Sequence, residues 1–456
     1  MSDYQFFVIG AGPGGYVAAL RAARLGLHTA IAERREVGGT CLNRGCIPTK
    51  SLLHSAALCA EIGDAARFGV RCGGAQVDLA AVYARKDAVI EKLRAGILQQ
   101  FKAAGVDYLP GSAAIVGTGR VRVDTADGPR EYTCDDLLVA TGSVPARPPI
   151  PGLELPGVVT SDELLAQADR LYSSLVIIGG GVIGVELASF YAALGTQVTI
   201  VEALERILPT MDRELSQSMA MLLKKRGVVI HIGCRVERIE RDGSALRVIY
   251  TEKESLQSAA AECVLCAIGR RPDCTGLLGA GVTLETERGH IVVDGRFRTS
   301  LPHVYAVGDV SSRVQLAHVA SAQGAAVAEL LAGQTPSAAL DVIPACIYTS
   351  PEIACVGLTA DEAKKQGRAV RTGKCLMGAN GRTVIAEGER GYIRLVADAE
   401  TGALLGAQLM CERATDIISE LTAAIVNGLT AAQLLRAVRP HPTFEEALTD
   451  ALEMIK

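Results

Sequence analysis

Two cysteines, Cys41 and Cys46, stand five positions apart in the run Gly38-Gly39-Thr40-Cys41-Leu42-Asn43-Arg44-Gly45-Cys46-Ile47-Pro48-Thr49-Lys50. Thiols so placed could exchange with a disulfide, hold a metal, or lie buried as small apolar groups. The following Ser51–Leu58 reads as helix. On a regular α-helix the two Cα atoms would lie about 8.6 Å apart, and bridging fails beyond about 7 Å. Either the pair never forms, or the first turn is distorted; Gly39, Gly45 and Pro48 would permit that. No second Cys/His pair at ligand spacing lies nearby, so no metal is expected. A second candidate is His441-Pro442-Thr443-Phe444-Glu445-Glu446, either a base oriented by a carboxylate or a helix start.

The elements that would position these groups are legible as a repeated unit. The strand ending Val8-Ile9 runs into Gly10-Ala11-Gly12-Pro13-Gly14-Gly15, then an Ala-rich helix over Tyr16–Leu25, then Thr29–Ala32 ending on Glu33. Glycines Gly10, Gly12 and Gly15 would let a pyrophosphate approach the helix N-terminus, with Glu33 accepting from ribose hydroxyls. The unit recurs as Val176–Ile178, glycines Gly179, Gly181 and Gly184, and Val198–Val201 leading to Glu202. The spacing from first glycine to acid is identical in both copies. Each closes on an apolar strand with glycine at its end, Leu137–Gly142 (with Thr141) and Val264–Gly269. Two dinucleotides are expected.

The first copy is the longer; it has room for the cysteine segment and a helix from about Asp78 to Ala104. Val144–Pro151 is proline-rich and reads as an interdomain linker. Val304–Asp309 is a further strand ending in Gly308-Asp309. There Asp309 is either an ordinary turn residue or part of a return to the first domain, contacting its cofactor. The C-terminal part lacks a glycine fingerprint, with strands around Ile347, Ile393 and Leu404 and an amphipathic helix over Ile417–Asn427.

Composition narrows the classes. A chain of 456 residues suggests about three or four domains. The net charge of −4, without a basic run, disfavours nucleic acid and anionic membrane as partners, and the absence of tryptophan disfavours stacking on single strands. No uninterrupted apolar run reaches membrane-spanning length, and no basic leader precedes the first strand, so a cytoplasmic protein is expected. Thirteen cysteines are an odd, scattered set unlike a secreted framework. Cys263 and Cys266 fall within one strand and face opposite ways, which disfavours a shared metal.

In order, these motifs resemble those of the flavin-dependent pyridine nucleotide–disulfide oxidoreductases, most closely the dihydrolipoamide dehydrogenase branch, over essentially the whole chain. Gly38–Lys50 is similar to the family's redox helix, Gly179–Glu186 to its NAD motif and Ala306–Asp309 to its second FAD motif. Leu316-Ala317-His318 is similar to its flavin-side segment, and His441–Glu446 to its acid–base motif. The resemblance implies an α/β fold with two Rossmann-like dinucleotide-binding domains, for FAD (1–147) and NAD (148–275). It further implies a central domain (276–344) completing the FAD site and a C-terminal α+β dimerisation domain (345–456).

By the same resemblance, Cys41 and Cys46 form a redox disulfide, Cys41 as interchange thiol and Cys46 as flavin-proximal thiol. Lys50, paired with Glu186, would sit beside the isoalloxazine, and Ala317 would border it. His441, oriented by Glu446, would act on the disulfide of the other subunit of a homodimer. Glu202 favours NAD over NADP, although Arg206 lies close in sequence. Val182 stands where glutathione-reductase relatives carry a gating tyrosine.

Val319, Gln323, Phe444 and Glu445 depart from the commonest family pattern, and no cysteine follows Cys411, unlike in mercuric reductases. The implied activity is oxidation of protein-bound dihydrolipoamide by NAD, in partnership with a lipoylated protein of a 2-oxoacid dehydrogenase or glycine cleavage complex. Alternatives are reduction of another small disulfide, metal or quinone by NAD(P)H, and a non-catalytic flavin-binding sensor or scaffold.

Overall fold

Two parallel sheets of one design organise the chain in this computed structural model, which describes residues 2–166, 170–388 and 390–455. The first sheet starts with β1 (Tyr4–Ile9), α1 (Pro13–Arg24) and β2 (Thr29–Glu33). Phe6, Phe7 and Val8 are fully buried, as a central parallel strand covered on both faces requires. Next come α2 (Gly39–Arg44), α3 (Cys46–Asp64), α4 (Leu79–Ala104) and β3 (Asp107–Pro110). Asp78 caps α4 by accepting from the Ala81 amide, and Gly105 ends it in the left-handed conformation. The strands β4 (Ser112–Gly117), β5 (Arg120–Thr125) and β6 (Gly128–Val139) form an antiparallel meander, and the second half of β6 runs parallel to β1. The order is β3-β2-β1-β6-β5-β4.

After β7 (Ser143–Pro145), the second unit comprises β8 (Val158–Thr160), α5 (Ser161–Ala166), β9 (Ser174–Ile178), α6 (Val182–Ala193) and β10 (Gln197–Val201). It continues through α7 (Arg213–Lys225), β11 (Val229–His231), the antiparallel β12 (Arg235–Asp242), β13 (Ala245–Glu252) and β14 (Ser255–Ala261), and β15 (Cys263–Cys266). Its parallel order is β11-β10-β9-β15-β8. On β15, Cys263 packs with Leu175 and Ile177, whereas Cys266 joins Val176 and Ile178 on the other face, as the two-residue period of a strand dictates.

The proline-rich connection begins as a strand: β16 (Arg270–Pro272) pairs antiparallel with β7, so two chain segments cross side by side between the units. Beyond the short hairpin β17 (Thr286–Glu287) and β18 (His290–Ile291), β19 (Val304–Ala306) lies parallel to β6. The chain thus returns to the first sheet, and α8 (Ala317–Leu331) packs on α1. Their approach depends on glycine: a Cβ on Gly324 would stand 2.1 Å from the Gly14 carbonyl oxygen. The C-terminal sheet is antiparallel, β20 (Ala345–Ile347), β21 (Glu352–Gly357), β22 (Val370–Leu376), β23 (Tyr392–Asp398) and β24 (Leu404–Cys411), in the order β20-β21-β24-β23-β22. Helices Ala414–Val426 and Glu446–Glu453 bury Ile417, Leu421, Leu448 and Leu452 against it. The fold is α/β, with two Rossmann-like units and a C-terminal α+β part. Among the described residues no helix is long and apolar enough to cross a membrane.

Candidate active site

The two sulfurs pair because the helix carrying them is broken. Cys41 lies on α2, and Cys46 opens α3. Gly45 between them has φ −143° and ψ −104°, outside the helical region. The break brings the Cα atoms to 4.7 Å and the sulfurs into a disulfide. Pro48 falls in the first turn of α3, where its missing N–H is not needed. The segment is seated on the first glycine loop, since a Cβ on Gly39 would lie 2.6 Å from Gly12 Cα. Asn43 Nδ2 fastens it further, donating to the carbonyls of Gly39 (2.8 Å) and Val37 (3.0 Å).

Lys50 follows Cys46 by one helical turn, on the same face of α3. Its Nζ meets both carboxylate oxygens of Glu186 on α6, at 2.9 and 2.7 Å. The Glu186 side chain is only 4% exposed and also accepts from the Tyr348 amide (2.9 Å). A carboxylate this deeply buried requires such partners. The expected Lys50–Glu186 pair is therefore present.

The glycine loops are near-copies. Gly10 and Gly179 have φ of 100° and 109°, and a Cβ on either would lie 2.5 Å from the carbonyl oxygen of Ala140 or Ala267. Gly15 and Gly184 sit behind the loops; a Cβ there would stand 1.8 and 2.1 Å from the carbonyl oxygens of Gly10 and Gly179. Glu33 accepts from the amides of Ala11 (2.7 Å) and Arg35 (2.8 Å). Glu202 does the same with Gly180 (2.5 Å) and Leu204 (2.7 Å). Each acid thus holds its own loop, with lone pairs left over for a ribose. Arg206 is turned away, donating to the carbonyls of Pro209 (2.9 Å) and Met211 (3.3 Å).

Both loops open on one cleft of about 1810 Å³. Bordering it are Gly10, Gly12, Glu33, Cys41, Cys46, Lys50, Thr141, Gly142, Gly308, Asp309 and Ala317 on the first unit's side, and Gly179, Gly181, Glu186, Glu202 and Gly269 on the second's. The chemistry of the lining fits two dinucleotides. Helices α1, α6 and α8 present N-termini without side-chain caps, at Gly12, Gly181 and Leu316, and such ends attract phosphate and other anionic oxygens. A Cβ on Gly142, Gly181 or Gly269 would meet nothing within 4 Å, so the cleft is open there to a ligand. Thr141 Oγ1 is buried without a hydrogen-bond partner, a group a bound cofactor would satisfy.

Asp309 lies in the turn after β19 and accepts from Ser143 Oγ (2.6 Å), while Gln323 Oε1 accepts from the Gly308 amide (2.9 Å). The return to the first unit places Asp309 at the cleft. Sequence reasoning missed Arg270, Ser143 and Tyr348. Arg270 donates to Asp162 (3.0 Å) and to the hydroxyl and carbonyl of Ser143 (both 2.9 Å), tying the crossing strands together. Its position directly after the closing Gly269 was the one available signal.

His441 and Glu446 do not border the cleft of their own chain. His441 Nδ1 lies 2.8 Å from Glu446 Oε1, and the histidine side chain is 78% exposed. An ionised carboxylate only accepts, so Nδ1 carries the proton and Nε2 remains the basic nitrogen. The Thr443 amide, and then His441, hold the Glu446 carboxyl below its ordinary pKa. Elsewhere, burial pushes the thiols of Cys346 and Cys355 up to about 11, so they stay protonated and unreactive.

Residues 4–324 match the family described as pyridine nucleotide-disulphide oxidoreductase, and residues 343–452 its dimerisation domain. The dihydrolipoyl dehydrogenase of Bacillus subtilis (strain 168) is 39% identical, covering 99% of this chain and 97% of its own. That of Thermus scotoductus is 38% identical over 100% and 98%. Among solved structures, the Cu(II) complex of the HOCl-induced flavoprotein disulfide reductase RclA from Escherichia coli has a TM-score of 0.88 at 29% identity over 100% of both chains. LpdA from Mycobacterium tuberculosis has a TM-score of 0.91 at 27% identity over 98% and 99%. The Cys41–Cys46 disulfide and the duplicated loops thus come with full-length relatives, and the chain belongs to the pyridine nucleotide-disulphide oxidoreductases as an FAD-dependent, NAD-linked disulfide oxidoreductase.

Proposed function

We propose that this protein is a dihydrolipoamide dehydrogenase, oxidising a lipoyl dithiol on a partner protein at the expense of NAD. The observation that carries the reading is the Cys41–Cys46 disulfide, set in one cleft with both glycine loops and the Lys50–Glu186 pair. In this reading the boundaries expected from the sequence, 1–147, 148–275, 276–344 and 345–456, divide FAD, NAD, central and dimerisation domains. The protein is cytoplasmic. It acts as a homodimer in which His441 of the partner subunit faces Cys41, consistent with His441 lying off the cleft of its own chain.

A substrate thiolate attacks Cys41 Sγ and breaks the Cys41–Cys46 bond, leaving Cys46 as thiolate. The second substrate sulfur then attacks the mixed disulfide, releasing the cyclic disulfide and the Cys41 thiol. His441 Nε2 takes a proton from the incoming dithiol, and Glu446, ionised and bonded to Nδ1, stabilises the imidazolium that results. Gly10, Gly12, Glu33, Thr141, Gly142, Gly308, Asp309 and Ala317 would hold FAD, and Gly179, Gly181, Glu202 and Gly269 would hold NAD. FAD supplies the two-electron relay from sulfur to nicotinamide. Lys50, paired with Glu186, would contribute a positive charge beside that relay. Over the whole reaction a dithiol and NAD+ become a disulfide, NADH and a proton.

Support for the substrate comes from the full-length likeness to dihydrolipoyl dehydrogenases and from Glu202 and Arg206, whose arrangement suits NAD rather than a 2′-phosphate. A lipoylated component of a 2-oxoacid dehydrogenase or glycine cleavage complex would be the partner. The likeness to a Cu(II)-bound disulfide reductase favours one other reading, reduction of a soft metal ion by the same dithiol. An anaerobic assay separates them: NADH formation from dihydrolipoamide is expected to exceed, by about a hundredfold or more in kcat/KM, both NADPH oxidation by glutathione disulfide and NADH-driven Cu(II) reduction, a margin of roughly 2.7 kcal/mol. Cys46→Ser should abolish lipoamide turnover and leave FAD bound. Faster Cu(II) reduction in the wild type, or full activity in Cys46→Ser, would contradict the reading.

A further inference from the structure

Lys50 is held from two sides, only one of which is a carboxylate. Its Nζ lies 4.5 Å from the centroid of the Tyr348 ring, just after β20 in the C-terminal part of the chain. The amide of Tyr348 donates to Glu186 Oε1 at 2.9 Å, one of the two oxygens that Lys50 meets. One residue therefore touches both members of the pair, the cation through the negative face of its ring and the anion through its backbone. Three segments distant in sequence converge at this point: α3 behind the disulfide, α6 behind the second glycine loop, and the strand entering the C-terminal sheet. Tyr348 also borders the cleft. Burial raises its phenol above the ordinary value, so the ring stays neutral and attractive to a cation.

We propose that Tyr348 is a positioning residue that fixes where the Lys50 charge stands in the cleft. The proposal rests on the reading that places Lys50 beside the flavin. A lysine side chain has four flexible carbons and a compact charge, so a carboxylate alone leaves the ammonium several rotamers. The ring removes that freedom, and its location makes the charge depend on seating of the C-terminal part. A flavin gaining electrons beside a held cation is stabilised more than one beside a wandering cation.

The test uses the holoenzyme, purified with FAD bound, equilibrated anaerobically with a redox dye. It reads the ratio of reduced to oxidised flavin in wild type, Tyr348→Phe, Tyr348→Leu and Lys50→Gln. Tyr348→Phe keeps the ring and should stay within about twofold of wild type. In Tyr348→Leu the ratio should fall about fivefold, as expected for loss of one cation–π contact. Lys50→Gln should fall further. If Leu does not retain FAD, Tyr348→Met is the second apolar variant, with the same expectation. A wild-type ratio in the apolar variant, or a Phe variant as low as Leu, overturns the role of Tyr348 while the Lys50→Gln shift upholds the placement of Lys50. An unshifted Lys50→Gln instead overturns that placement, and the role of Tyr348 with it.

Discussion

The two nucleotide units share a loop and differ in what closes over it. In both, the acid at the end of the second strand grips two backbone amides, and the helix starts from an uncapped glycine of nearly the same geometry, φ −73° and −72° at Gly12 and Gly181. In the second unit the strand on the outer side of β15 is β8, the first strand of that same unit. In the first, the strand beside β6 is β19, which arrives only after the second unit is complete. That return brings Gly308, Asp309 and the N-terminus of α8 to the first loop's side of the cleft and lays α8 on α1. Among the described residues, no later strand returns to the second sheet in this way. Under the proposed assignment of FAD to the first loop and NAD to the second, the covered loop holds the resident cofactor and the other loop the exchanging one.

The comparison breaks most visibly at the loop itself. Gly15→Ala would put a methyl 1.8 Å from the Gly10 carbonyl oxygen, and Gly184→Ala one 2.1 Å from that of Gly179. Gly15→Ala should yield protein without bound flavin and with little soluble fold. Gly184→Ala should keep its FAD while the KM for NAD rises about tenfold or more, equivalent to at least roughly 1.4 kcal/mol of lost binding. Absorbance of the purified proteins and steady-state kinetics read both outcomes. Loss of FAD from Gly184→Ala would mean that the two units do not act separately.

A smaller effect sharpens the contrast in cover. Arg21 on α1 pairs with Glu329 on α8 at 2.7 Å, a contact with no counterpart expected in the second unit. Burial pushes the Glu329 carboxyl up, but the amide and hydroxyl of Ser337 and the Arg21 guanidinium outweigh it, leaving the pKa below its ordinary value. A depressed folded-state pKa contributes stability above the unfolded value, lost as pH falls through the folded one. Glu329→Gln should therefore cost roughly 1 kcal/mol of stability at pH 7, a fall in Tm of about 1 °C for a chain of this length. The gap to wild type should close as pH drops below about 4, and scanning calorimetry reads it. A gap that widens in acid would give the pair the opposite sign.

The repeated strand–glycine–helix–acid units were legible because their geometry needs those residue types: only glycine tolerates the backbone at Gly10 and Gly179. The helix expected from about Asp78 to Ala104 is there as Leu79–Ala104, capped by Asp78 and closed by Gly105. Helix geometry left the Cys41–Cys46 pair open between two outcomes, and a single residue, Gly45, decides it. Asp309 stood between a turn and a cofactor contact until the pairing of β19 with β6 put it in the cleft. Tyr348, Ser143 and Arg270 were not legible, since their importance lies in contacts between segments far apart in the chain. His441 and Glu446 could be paired with each other from sequence, and the structure places them together but off the cleft of their own chain.

The central claim is that electrons pass between the nicotinamide unit and the sulfurs of Cys41 and Cys46. Anaerobic addition of one equivalent of NADH, followed by thiol alkylation and peptide mapping, tests it directly. The account predicts two newly labelled residues, Cys41 and Cys46, in wild type, and no new label on Cys41 in Cys46→Ser beyond that present before NADH. NADH oxidation that leaves Cys41 and Cys46 unlabelled, or that labels other cysteines instead, would contradict it.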